Sequence, residues 1–232
     1  MPMPKLAALA LAIATALGSA AADAADRSPA RTGKGAPPAT APTAMPAYHG
    51  PFAQPSPLDL NYPQFDKIQD SDFAPAFDAG MAEQLREIAA IADNPAPPTF
   101  QNTIVAMEKS GWLLDRASNV FFNLVATDKN PAREQIQRDY APKFAAHRDA
   151  IMLNPKLFAR VKALYDARDT LGLDAVDRRL LEKRYEDFVR AGAALSDAQK
   201  ARIRAINTEL SQLSTQFDQN VLAEVNDSAV VV

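Results

Sequence analysis

The sequence predicts an all-α fold, and two signals support this prediction. Apolar residues recur at spacings of three and four along residues 64–232, which is the period of one face of an α-helix. Capping residues and prolines separate these stretches, whereas the alternating pattern of β-strands is nearly absent. We therefore expect residues 64–232 to fold as an array of six or seven helices.

The first 24 residues have the features of a cleavable export signal. Lys5 supplies a positive charge, an apolar stretch follows over residues 6–17, and Ala22-Asp23-Ala24 forms an Ala-x-Ala cleavage site. The apolar stretch is shorter than the roughly 20 residues that a membrane-spanning helix needs. A removed signal peptide is therefore favoured over the alternative, a helical membrane anchor, and it predicts a periplasmic or secreted protein.

Residues 25–63 are expected to form a disordered linker. This stretch contains nine of the 18 prolines of the chain, together with many Ala, Thr and Ser residues. Proline at this density removes backbone donors and blocks helix formation, so we expect an extended, solvated segment. A proline-rich ligand for a binding domain is the alternative. The chain has no cysteine, which excludes disulfide bonds and lipid attachment through a cysteine.

The first two helices are predicted from their caps and apolar stripes. The first helix is predicted to start near Ser71 or Asp72. It should end at Asn94-Pro95, because the residue before a proline avoids the α region. Its predicted stripe is Phe73, Phe77, Met81, Leu85, Ile88 and Ala92. The second helix is predicted from about Asn102, as its N-cap, to residue 125. Its broad apolar surface is typical of a helix packed on more than one side.

Prolines divide the middle of the chain. Asn130-Pro131 and Asn154-Pro155 each combine a capping residue with a proline at the first helical position. Pro142, which lies between them, is expected to break or kink the third helix. The fourth helix is predicted to continue to Gly172, with a packed stripe formed by Leu157, Phe158, Val161, Leu164 and Tyr165.

Two further helices complete the predicted array. The first has Asp174 as its N-cap and Gly192 as a left-handed C-terminal residue, and its expected buried residues are Val176, Leu180, Leu181, Phe188 and Val189. Ser196 and Gln199 form a capping box that starts the longest helix. Its predicted stripe is Ile203, Ile206, Leu210, Leu213, Phe217 and Val221. The apolar run 229–232 after it is typical of a chain cut inside a larger fold.

The search for reactive side chains assigns no catalytic, cofactor-binding or metal residue. Zinc hydrolysis typically uses two histidines four residues apart, whereas His49 and His147 lie far apart in the sequence. We expect His147 to be a solvated or helix-terminal histidine. A net charge of −3 without a basic stripe excludes the usual nucleic-acid binders.

Two groups of side chains have a structural and a functional interpretation. The carboxylate pairs Glu182 with Glu186 and Asp166 with Asp169 alternate with basic residues and are expected on solvated helix faces. The aromatic residues Trp112, Phe121 and Phe122 are expected in the core, and the alternative is that they line a peptide channel.

Four motifs of this chain occur in a fixed order that a known family shares. They are Pro63-x-Phe65-Asp66-Lys67-Ile68, Phe73-Ala74-Pro75-Ala76-Phe77, Pro98-Thr99-Phe100-x-Asn102-Thr103-Ile104, and Gly192-Ala193 with the helix that follows. From about Tyr62 onward the chain resembles the amino-terminal helical half of the peptidyl-dipeptidase and thimet-oligopeptidase family of zinc metallopeptidases.

The resemblance implies that these helices form one wall of a deep channel that admits short, unfolded peptides. Members of that family hold zinc with a His-Glu-x-x-His helix and a later glutamate, and no position of this sequence matches them. The chain alone is therefore expected to bind no zinc and to be inactive. The expected partners are short peptides and the missing carboxy-terminal catalytic half, without which apolar surface around Trp112 and Phe121 should stay exposed.

The complete protein is expected to release dipeptides from peptide carboxyl ends or to cut oligopeptides, and the sequence leaves both open. The alternative from another class is a free-standing exported helical protein that binds peptides or a partner without catalysis.

Export should remove the first 24 residues, because Lys5, the apolar stretch and the Ala-x-Ala site together form a signal peptide. Amino-terminal sequencing of the protein from the host periplasm should begin at Ala25. An intact Met1 on protein confined to the cytoplasm would contradict the assignment.

Overall fold

The computed structural model describes residues 48–228, which contain seven α-helices and no β-strand. The all-α prediction is therefore confirmed over this range. The predicted signal peptide, linker residues 25–47 and the apolar run 229–232 lie outside the described residues.

The helices follow one another closely along the chain. They are α1 (Phe73–Ala92), α2 (Ala106–Glu108), α3 (Trp112–Thr127), α4 (Pro131–Met152), α5 (Pro155–Asp166), α6 (Ala175–Ala191) and α7 (Asp197–Asp227). A π-helix, Phe100–Val105, leads directly into α2, and three 3-10 turns, Asp59–Asn61, Phe65–Lys67 and Asp70–Asp72, precede α1.

The predicted caps at the starts of α4, α5, α6 and α7 are confirmed by their hydrogen bonds. The side chains of Asn130, Asn154 and Asp174 each accept from a backbone N–H in the first turn of α4, α5 and α6. Ser196 and Gln199 form a reciprocal capping box at the start of α7. Gly192 ends α6 with a φ of 99°, a left-handed conformation that glycine adopts without a steric penalty.

The predicted second helix is wrong in its cap and in its continuity. Thr99, not Asn102, is the N-cap, and the two residues exchange hydrogen bonds of 3.0 and 2.8 Å. The helix that begins there ends at Glu108, and α3 starts afterwards at Trp112. Gly111 has a φ of 83° and donates its N–H to the Glu87 carboxylate at 2.8 Å, which fixes the break between the two helices.

Two further helix predictions need correction. The break expected at Pro142 is wrong, because α4 runs as one helix through this residue, whereas the kink that was the other expectation stays a prediction. Tyr140 and Phe144 flank the proline, and their rings lie 5.2 and 5.0 Å from the ring of Phe77. This packing offsets the one backbone hydrogen bond that proline removes. Helix α5 ends at Asp166 rather than near Gly172.

Helix α1 contributes to two separate hydrophobic cores. One core joins the carboxyl end of α1 to the π-helix, α5 and α6, and its buried residues include Ile88, Ile104, Leu157, Leu181 and Phe188. The other joins the amino end of α1 to α3 and α4, and its buried residues include Phe73, Phe77, Leu114, Phe121 and Tyr140. Of the predicted stripes, Leu85 on α1 and Val176 and Val189 on α6 are exposed within residues 48–228.

Residues 48–57 pack against the helices, although the sequence placed them in the solvated linker. Phe52 is buried in the second core with its ring 5.5 Å from that of Phe73. Arg116 on α3 donates to the carbonyl oxygens of Phe52 at 3.0 Å and Ala53 at 3.3 Å. A buried aromatic ring and two backbone anchors therefore hold this proline-rich stretch on the domain.

A buried arginine joins α5 to the loop before the π-helix. Arg160, which is 8% exposed, donates to the carbonyl oxygens of Asn94 and Ala96 at 2.9 and 3.0 Å. It also donates to Asn102 Oδ1 at 2.9 Å and Thr103 Oγ1 at 3.3 Å. All four acceptors are neutral oxygens. The guanidinium donates to loop oxygens that form no helix hydrogen bond, and these bonds hold the loop at the start of the π-helix.

The substitution Arg160→Met should lower the free energy of unfolding by about 3 kcal/mol, because several buried acceptors lose their donor. Urea denaturation followed by circular dichroism measures this change. Lys162→Ala, an exposed position two residues along the same helix, is the matched control and should leave the midpoint nearly unchanged. An equal effect of both substitutions would contradict the role given to the Arg160 network.

Candidate functional site

Helix α7 presents an apolar stripe to solvent. Ile206, Leu210, Leu213, Phe217 and Val221 follow one another at spacings of three and four, and each is between 43% and 67% exposed. The sequence predicted these residues as a packed stripe, and among the described residues nothing covers them. A contiguous exposed apolar patch of this kind marks a surface that binds another protein element.

The opposite side of α7, which packs on α4, is mainly polar. Asn207 donates to Asp149 Oδ1 at 2.7 Å, and Gln219 donates to the carbonyl oxygen of Glu134 at 3.2 Å. Arg138 donates to Gln219 Oε1 at 2.8 Å, and Thr215 between these contacts is buried. Helix α7 is therefore held on the domain by hydrogen bonds and turns its apolar residues outward, which reverses the usual arrangement of a surface helix.

Apolar residues are also exposed at two other places. Trp112, expected in the core, begins α3 and is 60% exposed, and Phe122 is exposed beside the buried Phe121. In the segment before α1, Leu60 is fully exposed and has a φ of 54°. Tyr62, two residues further along the chain, is exposed as well. An unusual backbone conformation at Leu60 therefore lies in a segment that presents apolar side chains to solvent.

His147 is buried, which corrects the expectation of a solvated histidine. Its Nε2 donates to Gln84 Oε1 at 2.6 Å, and its Nδ1 has no hydrogen-bond partner among the described residues. Burial lowers the pKa of His147 below 6.5, because the charged imidazolium loses its hydration. The sequence could not have indicated this burial, since it depends on the approach of α1 to α4.

A cavity of about 350 Å³ lies beside His147. Asp115 and Arg148 also line it, and partial desolvation raises the pKa of Asp115. Arg184, another lining residue, pairs with the carboxylate of Glu108. The cavity thus combines an imidazole, a carboxyl group and an ion pair.

The carboxylate pairs lie on solvated, ion-paired helix faces, as the sequence predicted. Glu182 pairs with Arg178 at 3.3 Å and Arg179 at 3.4 Å, and Asp166 pairs with Lys162 at 2.6 Å. Such exposed pairs contribute little to stability. They offer no pair of carboxyl groups held for acid–base chemistry.

The residues that the structure describes, 48–228, do not fit a zinc ion. His147 is already bonded through Nε2 to Gln84, and His49 lies in the loop before Pro51. Within residues 48–228, no group of three or more His, Cys, Asp or Glu side chains is arranged to hold a metal. We therefore derive no catalytic step from this part of the chain.

Comparison with known proteins identifies related peptidases. The chain is similar to dipeptidyl carboxypeptidase from Escherichia coli strain K12, with 42% identity over 182 residues, covering 78% of this chain and 27% of that protein. Dipeptidyl carboxypeptidase from Salmonella typhimurium strain LT2 is 41% identical, and the match covers 75% of this chain and 25% of that protein. Organellar oligopeptidase A from Arabidopsis thaliana is 25% identical, and the match covers 71% of this chain and 21% of that protein. No family model matches the chain.

These similarities extend over 71–78% of this chain. The chain belongs to the peptidyl-dipeptidase and thimet-oligopeptidase family. It spans about a quarter of the length of the dipeptidyl carboxypeptidases that it matches. Within residues 48–228, no helix has the length and apolarity needed to cross a bilayer.

The burial of His147 predicts a loss of stability in weak acid. Its folded-state pKa is lowered, so below pH 6.5 the unfolded chain binds more protons and unfolding becomes more favourable. His147→Gln should reduce the loss of stability between pH 7.5 and pH 5, measured by urea denaturation at both values. The wild-type protein and the His147→Gln variant both contain Asp115, so the contribution of Asp115 to the pH dependence cancels when the two proteins are compared.

An exposed position without a titratable group supplies the control for this experiment. Gln212→Ala on α7 should leave the pH dependence of the wild-type protein unchanged. An unchanged pH dependence in His147→Gln would show that the buried imidazole is not the titrating group.

Proposed function

We propose that this chain is the amino-terminal helical part of an exported zinc metallopeptidase that hydrolyses short peptides. The observation that carries the proposal is the 42% identity to a dipeptidyl carboxypeptidase over 78% of the chain. The names of the relatives indicate release of dipeptides by dipeptidyl carboxypeptidase and cleavage of oligopeptides by oligopeptidase A, and this chain could belong to an enzyme of either kind. The signal sequence at Lys5 and residues 6–17 supports export to the periplasm or medium.

In this proposal, zinc and its ligands come from the part of the family fold that this chain does not match. The dipeptidyl carboxypeptidases extend over roughly four times the matched length, as the 27% and 25% coverage indicates. The described helices then form one wall of the channel that admits peptides. Their role is to bind and position a substrate and to support the catalytic part, rather than to move a proton.

The apolar stripe of α7 is the surface that supports this assembly. Because α7 bonds to α4 through polar residues, its apolar side needs a second packed layer to leave water. Fully burying one large apolar side chain contributes about 1.5–3 kcal/mol, and the stripe contains five such residues that are only partly buried. We propose that helices of the remaining family fold cover this stripe, together with Trp112 and Leu60.

A peptide- or partner-binding protein without catalysis is the second candidate. The two closed cores favour it, since residues 48–228 contain the packing that an independent domain needs. The two candidates differ in what should happen when the rest of the family fold is supplied.

Fragment complementation tests the proposed function. We would mix this chain with the E. coli dipeptidyl carboxypeptidase from which the matching segment has been deleted, add zinc, and measure dipeptide release. We expect activity only when both parts are present. Phe217→Glu, on the apolar stripe, should weaken the association by about 10- to 100-fold, because one apolar contact is replaced by a charge.

The control keeps the charge and moves it off the stripe. Gln212→Glu alters an exposed position that lies outside the stripe and should complement like the wild-type chain. Absence of activity with the wild-type pair would favour the binding protein. Equal activity of Phe217→Glu and Gln212→Glu would support the peptidase but remove α7 from the interface.

A further inference from the structure

The apolar stripe of α7, from Ile206 to Val221, has a charged residue beyond each of its ends. Arg202 lies four residues before Ile206, and Glu224 lies three residues after Val221. Residues three or four positions apart share one face of an α-helix, so both charges lie in line with the stripe. The exposed apolar face of α7 therefore begins with a cation and ends with an anion.

Both of these charged side chains can pair with another molecule. Arg202 and Glu224 are exposed, and neither forms an ion pair within residues 48–228. Glu224 accepts a hydrogen bond from the Ser228 hydroxyl at 3.0 Å, which leaves its charge uncompensated. It also lies in the last turn of α7, where the helix dipole favours a cation, so the helix itself does not account for this carboxylate.

A second copy of α7 in antiparallel orientation complements this face. With the two stripes superposed, Val221 of the second copy lies opposite Ile206 and its Phe217 lies opposite Leu210. Arg202 then lies within one residue position of Glu224 of the second copy, and the two-fold symmetry forms this pair twice. A parallel copy would instead bring the two basic ends together and the two acidic ends together, which is unfavourable.

The third charged residue next to the stripe is compatible with the antiparallel orientation. Glu209 lies three residues after Ile206 and seven residues after Arg202, so it lies on the same edge of the face as Arg202. In the antiparallel pair this edge meets the same edge of the second copy. Gln216 lies on that edge within two residue positions of the point opposite Glu209, and its neutral amide does not repel the carboxylate.

Helix α7 can pair in this way without rearrangement. Asn207 and Gln219 hold it on α4 from the side opposite the stripe. The apolar face is therefore in position before a second copy binds, which lowers the entropy that association costs. From Arg202 to Glu224 the helix extends over about 33 Å at 1.5 Å per residue, which is about three heptads of a two-helix pair.

We propose that two copies of this chain associate through antiparallel α7 helices. Burial of the two stripes supplies the affinity, and the pairs of Arg202 with Glu224 determine the orientation. The inference does not rest on the proposed function, which assigns the same stripe to helices of the remaining family fold. The two occupants compete, and the dimer covers the stripe when the chain is by itself.

Sedimentation equilibrium of the purified chain at micromolar concentrations tests the association. We expect a reversible equilibrium between monomer and dimer. Phe217→Glu should weaken the dimer by about 100-fold or more, because each dimer loses two apolar contacts and gains two charges in the interface. Gln212→Glu places the same charge at an exposed position outside the stripe and should dimerise like the wild-type chain.

Three outcomes of this experiment would overturn the proposal: a monomeric wild-type chain, an assembly larger than a dimer, or equal dimerisation of Phe217→Glu and Gln212→Glu. Circular dichroism confirms that each variant is folded. The measurement uses the chain by itself, so its failure would leave the complementation result untouched.

Charge reversal tests the orientation. Arg202→Glu and Glu224→Arg should each weaken the dimer by about 3- to 30-fold, because each replaces two ion pairs with two pairs of like charges. An equimolar mixture of the two variants should dimerise like the wild-type chain, because the mixed dimer restores both ion pairs. Arg204→Glu, an exposed position outside the stripe, is the control and should leave the affinity unchanged. A mixture that associates no more tightly than either variant alone would contradict the antiparallel arrangement.

Discussion

Helix α1 is the constraint on which the rest of the structure depends, because both hydrophobic cores use it as a wall. Phe73 and Phe77 at its amino end pack with α3 and α4, and Ile88 and Ile91 at its other end pack with α5 and α6. Between the two ends, a Cβ atom on Gly80 would lie only 2.8 Å from the backbone nitrogen of Leu114. The absence of a side chain there lets α3 lie directly on α1, which closes the second core.

The local part of the fold could be predicted from the sequence, because it depends on neighbouring residues. Asn130, Asn154 and Ser196 cap their helices through hydrogen bonds to residues two or three positions away, so the sequence pattern contains both partners. Helix continuity was harder to predict. The break at Gly111 involves Glu87, which is distant in sequence, and the passage through Pro142 depends on aromatic packing that no local pattern encodes.

The candidate site was harder to predict, because burial depends on which side of a helix has a neighbour. The stripe from Ile206 to Val221 has the period of a packed face, yet the structure buries the polar side that carries Asn207 and Thr215. A helix that packs against partners on two sides buries two faces. The hydrophobic pattern of its sequence identifies only the apolar face. The same reasoning explains why Trp112 is exposed although its apolar neighbours in the sequence indicated a core position. It also explains why His147 is buried, since its burial arises from the approach of α1.

The exposed apolar groups lie outside both cores, and this separation bears on how a larger fold could assemble. Phe217, Trp112 and Leu60 can leave water without any change in the packing of Phe77 or Leu181, which are already fully buried. Association through these residues therefore needs little reorganisation, and preorganised surfaces lose less conformational entropy when they bind. The polar contacts of α7 with α4 have the same effect, since they hold the helix in position before its apolar side is covered. A helix that was fixed by its apolar side would have to detach from its own domain before it could bind another.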